Sequence, residues 1–302
     1  MQQYQVNQKK KQKFFQDYQT KQLEIQTERK IYIWGELSSL FKRLYTFKDL
    51  EEIEEIKNLI NEEKIDESLL KNPKSICMGI SHMNVLTERG NIISFGSNEN
   101  YVLGTSNQKA KYGIIEDKFK KIRTNEAACA ALQDNGKILY WGSYGSDTFK
   151  KPVNLRSSKK YVDVKIGLRH GLCLTAEGHI SCFGVNNYLQ LGYASKKKAW
   201  RDKPKELKNI PPIKKISSGN NHSCALTSDG QVFMWGKNLV SESSNSGIAP
   251  VLLTTDNEHF IFISKISCGP ENICSIVDRK NLPTICYSFF NPPTIQCCSI
   301  DG

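Results

Sequence analysis

The sequence predicts an all-β repeat protein, on three observations. First, one pattern recurs. Ile213–Lys237, IKKISSGNNHSCALTSDGQVFMWGK, reads as an extended run, Gly219-x-x-His222, an apolar run, a polar turn at Ser228-Asp229-Gly230, and a run ending Trp235-Gly236. Val162–Gly184 repeats it with Gly167, His170, Gly178 and Phe183-Gly184 in register, and Ser75–Gly96 with Gly79, His82, Gly90 and Phe95-Gly96. Second, the closing glycines Gly96, Gly142, Gly184 and Gly236 stand roughly 40–50 residues apart, the length of one propeller blade or one solenoid unit. Third, each copy is built of short β-branched and aromatic runs punctuated by Gly, Asn and Asp, the composition of strands and turns.

Two further copies are degenerate. Ile122–Gly142 keeps its turn at Asp134-Asn135-Gly136 and its Trp141-Gly142, but has Asn125 for the first glycine and Ala128 for the histidine. Ile263–Phe289 keeps Gly269 but has Asn272 for the histidine and Lys280 for the turn glycine. The sequences S-D-G, A-E-G and D-N-G between apolar runs signal hairpins, because these residues tolerate φ > 0. The Gly of Gly-x-x-His is expected to open a tight turn with no room for a Cβ.

Gly167–Gly192, GLRHGLCLTAEGHISCFGVNNYLQLG, resembles one repeat of the regulator of chromosome condensation family. Gly184, Asn186, Gln190, Leu191 and Gly192 match the tail of that repeat, with Leu189 where the family prefers glycine. Gly96-Ser-Asn98 through Leu103-Gly104 matches it again, with Val102 for glutamine, and the tail is degenerate after Gly142 and Gly236. The resemblance spans about residues 30–289. It implies a β-propeller of six or seven four-stranded blades, with the question of a truncated ring left open.

The chain then divides as follows. Residues 1–29 are a polar Gln- and Lys-rich stretch, read as a disordered or helical tail. The propeller domain is expected over residues 30–290, with a C-terminal tail at 291–302. Ile31-Tyr-Ile-Trp34-Gly35 is the orphan end of a copy. Either the chain begins inside a repeat, or this strand completes the blade opened by the last copy, as propellers close without a free edge. Residues 48–71 place Leu50, Ile53, Ile56, Leu59 and Ile60 at helical spacing on an acidic background, predicting an amphipathic helix inserted between blades and ended before Pro73. It would lie on the propeller flank or receive a partner. Pro152-Val153, Pro204 with Leu207, and Pro250-Val251 mark entries to outer strands, where proline is tolerated.

Chemistry-bearing patterns are sparse. His82, His170 and His222 share one repeat position, which places them in different blades as structural residues holding a turn through a ring-to-backbone hydrogen bond. Gly230 to Asn238 has five residues between its glycines and lies on a strand, unlike a phosphate loop. Ser157-x-x-Lys160 has no partner motif. The ten cysteines form no C-x-x-C and read as small buried residues near the axis. No catalytic residue, metal site or cofactor is expected. Reduced cysteines and the lack of a long apolar run predict a cytoplasmic or nuclear protein with no membrane span.

Charge is more informative. The 302 residues carry a net +11. Positive residues gather at Lys150, Lys151, Arg156, Lys159 and Lys160, at Lys196, Lys197, Lys198, Arg201, Lys203, Lys205 and Lys208 around Trp200, and at Lys214 and Lys215. Loops on one rim would join them into a basic surface for phosphates, chromatin or an acidic protein patch. Few arginines argue against base readout. The expected function is a non-enzymatic protein-interaction scaffold. The resemblance implies an alternative, a guanine-nucleotide exchange factor for a small Ran-like GTPase, on chromatin. The repeat positions singled out are Gly79, His82, Gly90, Gly96, Gly136, Gly142, Gly167, His170, Gly178, Gly184, Gly219, His222, Gly230, Gly236 and Gly269.

Overall fold

A computed structural model describes residues 30–36, 44–49, 53–194, 202–237, 250–252, 262–269, 273–279, 282–290 and 293–298. Five four-stranded antiparallel sheets follow one another along the chain, each strand pairing with the next. Blade I is β3 Ser75–Met78, β4 His82–Leu86, β5 Ile92–Gly96 and β6 Tyr112–Ile115, preceded by a two-stranded sheet of β1 Tyr32–Glu36 and β2 Leu44–Asp49. Blade II is β7 Phe119–Thr124, β8 Ala128–Gln133, β9 Ile138–Tyr144 and β10 Asp147–Asn154. Blade III is β11 Asp163–Ile166, β12 His170–Leu174, β13 Ile180–Gly184 and β14 Lys205–Glu206. Blade IV is β15 Ile213–Ser218, β16 His222–Thr227, β17 Val232–Gly236 and β18 Val251–Leu252. Blade V is β19 Ile263–Cys268, β20 Ile273–Arg279, β21 Leu282–Phe290 and β22 Pro293–Cys298. First strands of successive blades touch one another, β3 with β7, β7 with β11, β11 with β15 and β15 with β19, so they form the inner wall of a propeller.

Among the described residues the five copies form five four-stranded blades and the orphan strand lies in one two-stranded sheet, in keeping with the expected propeller of four-stranded blades. Other expectations change here. The strand holding Trp34-Gly35 pairs with β2 and not with the last copy, which takes its fourth strand, β22, from the stretch read as a C-terminal tail. The helix is also shorter than 48–71. It runs Glu54–Asn61, with Glu54 and Glu55 at its positive end, and stops where Glu63 turns left-handed at φ 55°. Residues 1–29 and Leu50 lie outside the described residues.

The apolar residues pack between blades. Leu86, Ile92, Phe119, Ile122, Ala131 and Trp141 fill the I–II interface, and Leu172, Ile180, Leu207, Ile216, Ala225 and Trp235 the III–IV interface. The far face of blade I, with Met83, Val85, Ile93 and Phe95, is covered by Ile31, Ile53, Ile56, Ile65 and Leu70. The inserted helix therefore buries the face against which a preceding blade would stack.

The matched tails explain two of these interfaces. Asn98 and Asn186 each bridge a loop, accepting from the backbone N–H of Leu103 and Leu191 at 2.9 Å and donating to the carbonyls of Asn107 and Tyr193 at 2.7 Å. Leu189 and its counterpart Tyr101 sit at φ 59° and 58°, a conformation that explains the family's preference for glycine there. Each loop then offers a carbonyl to the next blade: the Trp141 ring N–H donates to Val102 O at 2.8 Å, and the Trp235 ring N–H to Gln190 O at 2.9 Å. Interface II–III has neither part, since blade II has lost the tail and blade III carries Phe183. It is filled by edge-on aromatics, Tyr140 with Tyr144 and Phe149, backed by Phe183.

The proline signals fall on fourth strands. Pro152 lies in β10, between Phe149 and Val153 where the pairing register shifts, while Pro204 and Pro250 immediately precede β14 and β18. Trp141→Phe should cost about 1–3 kcal/mol in urea unfolding, because the buried Val102 carbonyl would keep only the weak Cys129 S–H donor at 3.5 Å.

Candidate functional site at the propeller axis

Each blade is fastened to the next at both ends of its central hairpin. At one end the turn glycines Gly90, Gly136, Gly178 and Gly230 have φ of 85–95°. Their carbonyls accept from the backbone N–H of Phe119, Tyr161, Ile213 and Ile263, at the entry to the next blade. At the other end Gly96, Gly184 and Gly236 close the third strand opposite His82, His170 and His222, and Gly142 lies opposite Ala128 two residues before the end of β9.

The first glycine of each copy is the tightest point. A Cβ on Gly167 would stand 2.2 Å from His170 Cε1 and 2.3 Å from the Gly219 carbonyl oxygen. On Gly219 it would meet His222 Cε1 at 2.0 Å and the Gly269 oxygen at 2.4 Å, and on Gly79 His82 Cε1 at 2.2 Å and the Asn125 oxygen at 2.5 Å. None of the three has a left-handed φ. The requirement for glycine is thus one of space, since its own histidine lies over it and the carbonyl of the equivalent residue in the next blade lies against it. Blade II solves the same problem differently. With Ala128 in place of histidine there is room for Asn125, whose Oδ1 accepts from the N–H of Ala127 and Ala128 at 2.8 Å and whose Nδ2 donates to Gly167 O at 2.5 Å.

The histidines do more than hold their own turn. The Nε2 of His82 lies 2.5 Å from Thr124 Oγ1 of blade II, and that of His170 2.9 Å from Ser223 Oγ of blade IV. Ser223 donates its hydroxyl proton to Gln190 O, so the His170 ring N–H is the donor. For His82 and His170 the ring thus meets a hydroxyl across the blade boundary, and His170 also interacts with the backbone of His222. Burial pushes His82 down to about 4. Burial, then the charge of His222, pushes His170 down to about 3. His170 and His222 thus interact, although they sit in different blades. Asn272 and Lys280 lie outside the described residues.

The inner strands carry a feature that loop-based reading missed. In β7, β11 and β15, Ile122, Val164 and Ile216 face the interblade core. The residues flanking them lie on the opposite face, at the inner wall. Those positions hold Lys121 and Arg123, Asp163 and Lys165, and Lys215 with Ser217; β19 repeats this with Lys265 and Ser267 around Ile266. Five cations share these positions with one carboxylate. Lys121 Nζ lies 2.9 Å from Asp163 Oδ1 and 2.9 Å from Val162 O, and Arg123 Nη2 is 3.7 Å from the same carboxylate. Lys215 Nζ reaches Ser264 O at 3.5 Å. Burial, then the Arg123 charge, lowers the Lys165 ammonium below its ordinary value, with Asp163 opposing. The sequence signal was present as Lys-Ile-Arg, Asp-Val-Lys, Lys-Ile-Ser and Lys-Ile-Ser at one repeat position, and alternation reveals it once the inner strand is known.

The basic surface expected from the loops is divided. Lys196, Lys197, Lys198, Trp200 and Arg201 lie outside the described residues. Lys203 and Lys205 are exposed at the outer strand of blade III, with Lys205 Nζ 4.2 Å from the Tyr193 ring centre. Arg156 pairs with Asp202 at 3.0 Å and Lys159 with Glu206, so these cations brace blade II against blade III. Lys214 and Lys215 lie in β15, the inner strand of blade IV, instead of on that rim, and of the two Lys215 holds the inner-wall position beside Ile216. Among the described residues no three His, Cys, Asp or Glu side chains gather to hold a metal, and no helix is long and apolar enough to cross a membrane.

Two outcomes follow for the axis. In a double-mutant cycle, Gly167→Asn should cost about 1–3 kcal/mol alone, and about 1 kcal/mol less when His170→Ala has removed the ring. The second concerns acid. Unfolded histidine titrates near 6.5. Below that pH the unfolded chain binds protons that the buried rings refuse. Stability from His82 and His170 is therefore full above about pH 6.5 and falls as pH drops toward 4 and 3. The loss reaches up to about 1.4 kcal/mol per pH unit for each ring. Urea titrations between pH 7 and 4 should show this slope in the wild type and a flatter one in the His82→Gln/His170→Gln variant.

Comparison with known proteins agrees with this architecture. The sequence profile of the Regulator of chromosome condensation (RCC1) repeat matches residues 177–226, and a second profile of that repeat matches residues 213–241. The chain is 26% identical to the Ultraviolet-B receptor UVR8 of Arabidopsis thaliana over 231 residues, covering 69% of this chain and 52% of the receptor. It is 30% identical to the human Regulator of chromosome condensation over 103 residues, 34% of this chain and 24% of that protein. The chain thus spans about half the length of the first of these relatives and a quarter of the other. The crystal structure of Prp20p from Saccharomyces cerevisiae superposes with a TM-score of 0.56 at 24% identity, over 70% of this chain and 56% of that one. The repeated blades, the matched segments and the shared fold show that this chain carries regulator of chromosome condensation (RCC1) repeats built into a β-propeller.

Proposed function

We propose that this propeller is a non-enzymatic interaction scaffold that receives an acidic protein segment at its inner wall. One observation carries the reading: Lys121, Arg123, Lys165, Lys215 and Lys265 occupy equivalent inner-strand positions with Asp163 as the carboxylate among them. Such concentrated charge attracts an anionic partner from a distance and fixes its orientation on arrival. Propellers of this family support protein-interaction roles, and free cysteines fit a cytoplasmic or nuclear setting.

A second reading, exchange of guanine nucleotide on a small GTPase, is favoured by the likeness to Prp20p, whose structure is described with its binding to Gsp1p and histones. An exchange factor needs no acid–base residues, because it acts by stabilising the nucleotide-free GTPase. The two readings separate in one experiment. Binding of a fluorescent polyglutamate peptide to the full chain should weaken with salt. It should fall about tenfold, or 1.4 kcal/mol, in Lys215→Glu/Lys265→Glu, but not in Lys203→Glu/Lys205→Glu. Equal binding by both variants overturns the inner-wall assignment. Accelerated nucleotide release from Ran by the wild-type chain favours the exchange reading.

A further inference from the structure

Cys224 lies in β16 of blade IV, fully buried, and Cys268 is the last residue of β19 in blade V, half-buried. Their sulfurs are 3.0 Å apart across the blade boundary, between residues 44 apart in sequence. The Cys268 N–H donates to Ser217 Oγ at 2.9 Å, which fixes the end of β19 against β15. Cys268 immediately precedes Gly269, so it occupies the repeat position that Thr124 holds before Asn125. Thr124 is the residue that meets the His82 ring, and His222 stands in the same relation to Cys268.

This setting differs from that of the other described thiols. Burial pushes Cys129 up to about 12 and raises Cys77, Cys173 and Cys182 as well, so all four remain protonated and inert. Burial acts on Cys268 in the same direction, but hydrogen bonds from Cys224, His222 and Ser217 outweigh it and lower the thiol below its ordinary value, while burial and Cys268 raise Cys224. The Lys165 ammonium of the inner wall interacts with Cys268 and supplies positive charge beside it. Two sulfurs in contact, one thiol lowered and its neighbour raised, are the two parts that disulfide formation requires.

We propose that Cys268 is an oxidation site and Cys224 its resolving partner, so that peroxide converts them into a reversible disulfide joining blade IV to blade V. The Cys268 thiolate attacks one oxygen of hydrogen peroxide. The O–O bond breaks, hydroxide leaves, and Cys268 becomes a sulfenic acid. The Cys224 sulfur then attacks the sulfenic sulfur. The S–S bond forms, and the sulfenic hydroxyl leaves as water with the proton from Cys224. Overall, two thiol sulfurs lose two electrons to peroxide, and an external dithiol reverses the reaction by exchange. The sulfurs need to approach by only about 1 Å to reach bonding distance.

The test uses the full chain, treated with hydrogen peroxide, alkylated, digested without reductant and read by mass spectrometry. The expected product is a Cys224–Cys268 linked peptide that dithiothreitol removes. In Cys224→Ser, a dimedone adduct should accumulate on Cys268 and exceed that on Cys173 by at least tenfold. The proposal is overturned if Cys268 of the wild type links to another cysteine, or if no link forms while Cys268 and Cys173 are labelled equally. The wild-type product requires no substitution, so a variant that fails to fold leaves the test intact.

Discussion

The structure depends on the close approach of successive blades at the first position of each repeat. There the backbone of one blade, the imidazole above it and a carbonyl of the next blade converge within van der Waals contact. Gly79, Gly167 and Gly219 are required because both neighbours occupy the volume of a Cβ. A sheet of four short strands has two apolar faces and cannot hide either alone, so its stability comes from stacking on its neighbours. The axial contact sets the spacing at which that stacking occurs. The turn glycines at the opposite end of each hairpin complete the fastening by accepting from the next blade's entry strand.

The interfaces satisfy this constraint by different means. Between blades I and II and between III and IV, a tail loop supplies a carbonyl and a tryptophan supplies the donor. Between II and III the tail and the tryptophan are both gone, and tyrosine and phenylalanine rings fill the space. Between IV and V the histidine meets a thiol in place of a hydroxyl, and that exchange produces the cysteine pair. At the II–III boundary donor and acceptor are therefore absent together, as expected where removing one partner leaves a buried polar group unpaired.

Much of this was legible in the sequence because repetition supplies its own comparison. Four copies in phase located the second and third strands, the turns and the closing glycines. The joint loss of glycine and histidine at Asn125 and Ala128 was visible, but its reason was not, since the clash lies between residues of one blade and a carbonyl of another. The Val102 and Gln190 carbonyls were hidden for the same reason: a backbone acceptor leaves no mark in sequence. The basic inner wall was missed because Lys121, Arg123, Lys165, Lys215 and Lys265 belong to four separate inner strands that only the fold brings together, whereas the runs near Lys150 and Lys196 draw the eye. The helix is shorter than its expected span because nothing in the acidic run around Glu63 marks the left-handed turn that ends it.

Axial packing and axial charge are linked. The glycines that bring the inner strands together also bring their flanking cations together, so the Lys165 ammonium is crowded by Arg123 and Lys121. Concentrating like charge costs stability, and a site that holds it is poised to gain from an anionic partner. The most direct measurement of the central claim is native-state hydrogen exchange at the amides of Gly79, Gly167 and Gly219, each of which donates to the carbonyl of its own histidine. If these contacts bind the blades into one cooperative unit, the three amides exchange with a single free energy equal to that of global unfolding. Three different values, each below the global one, would show blades opening independently and contradict the account.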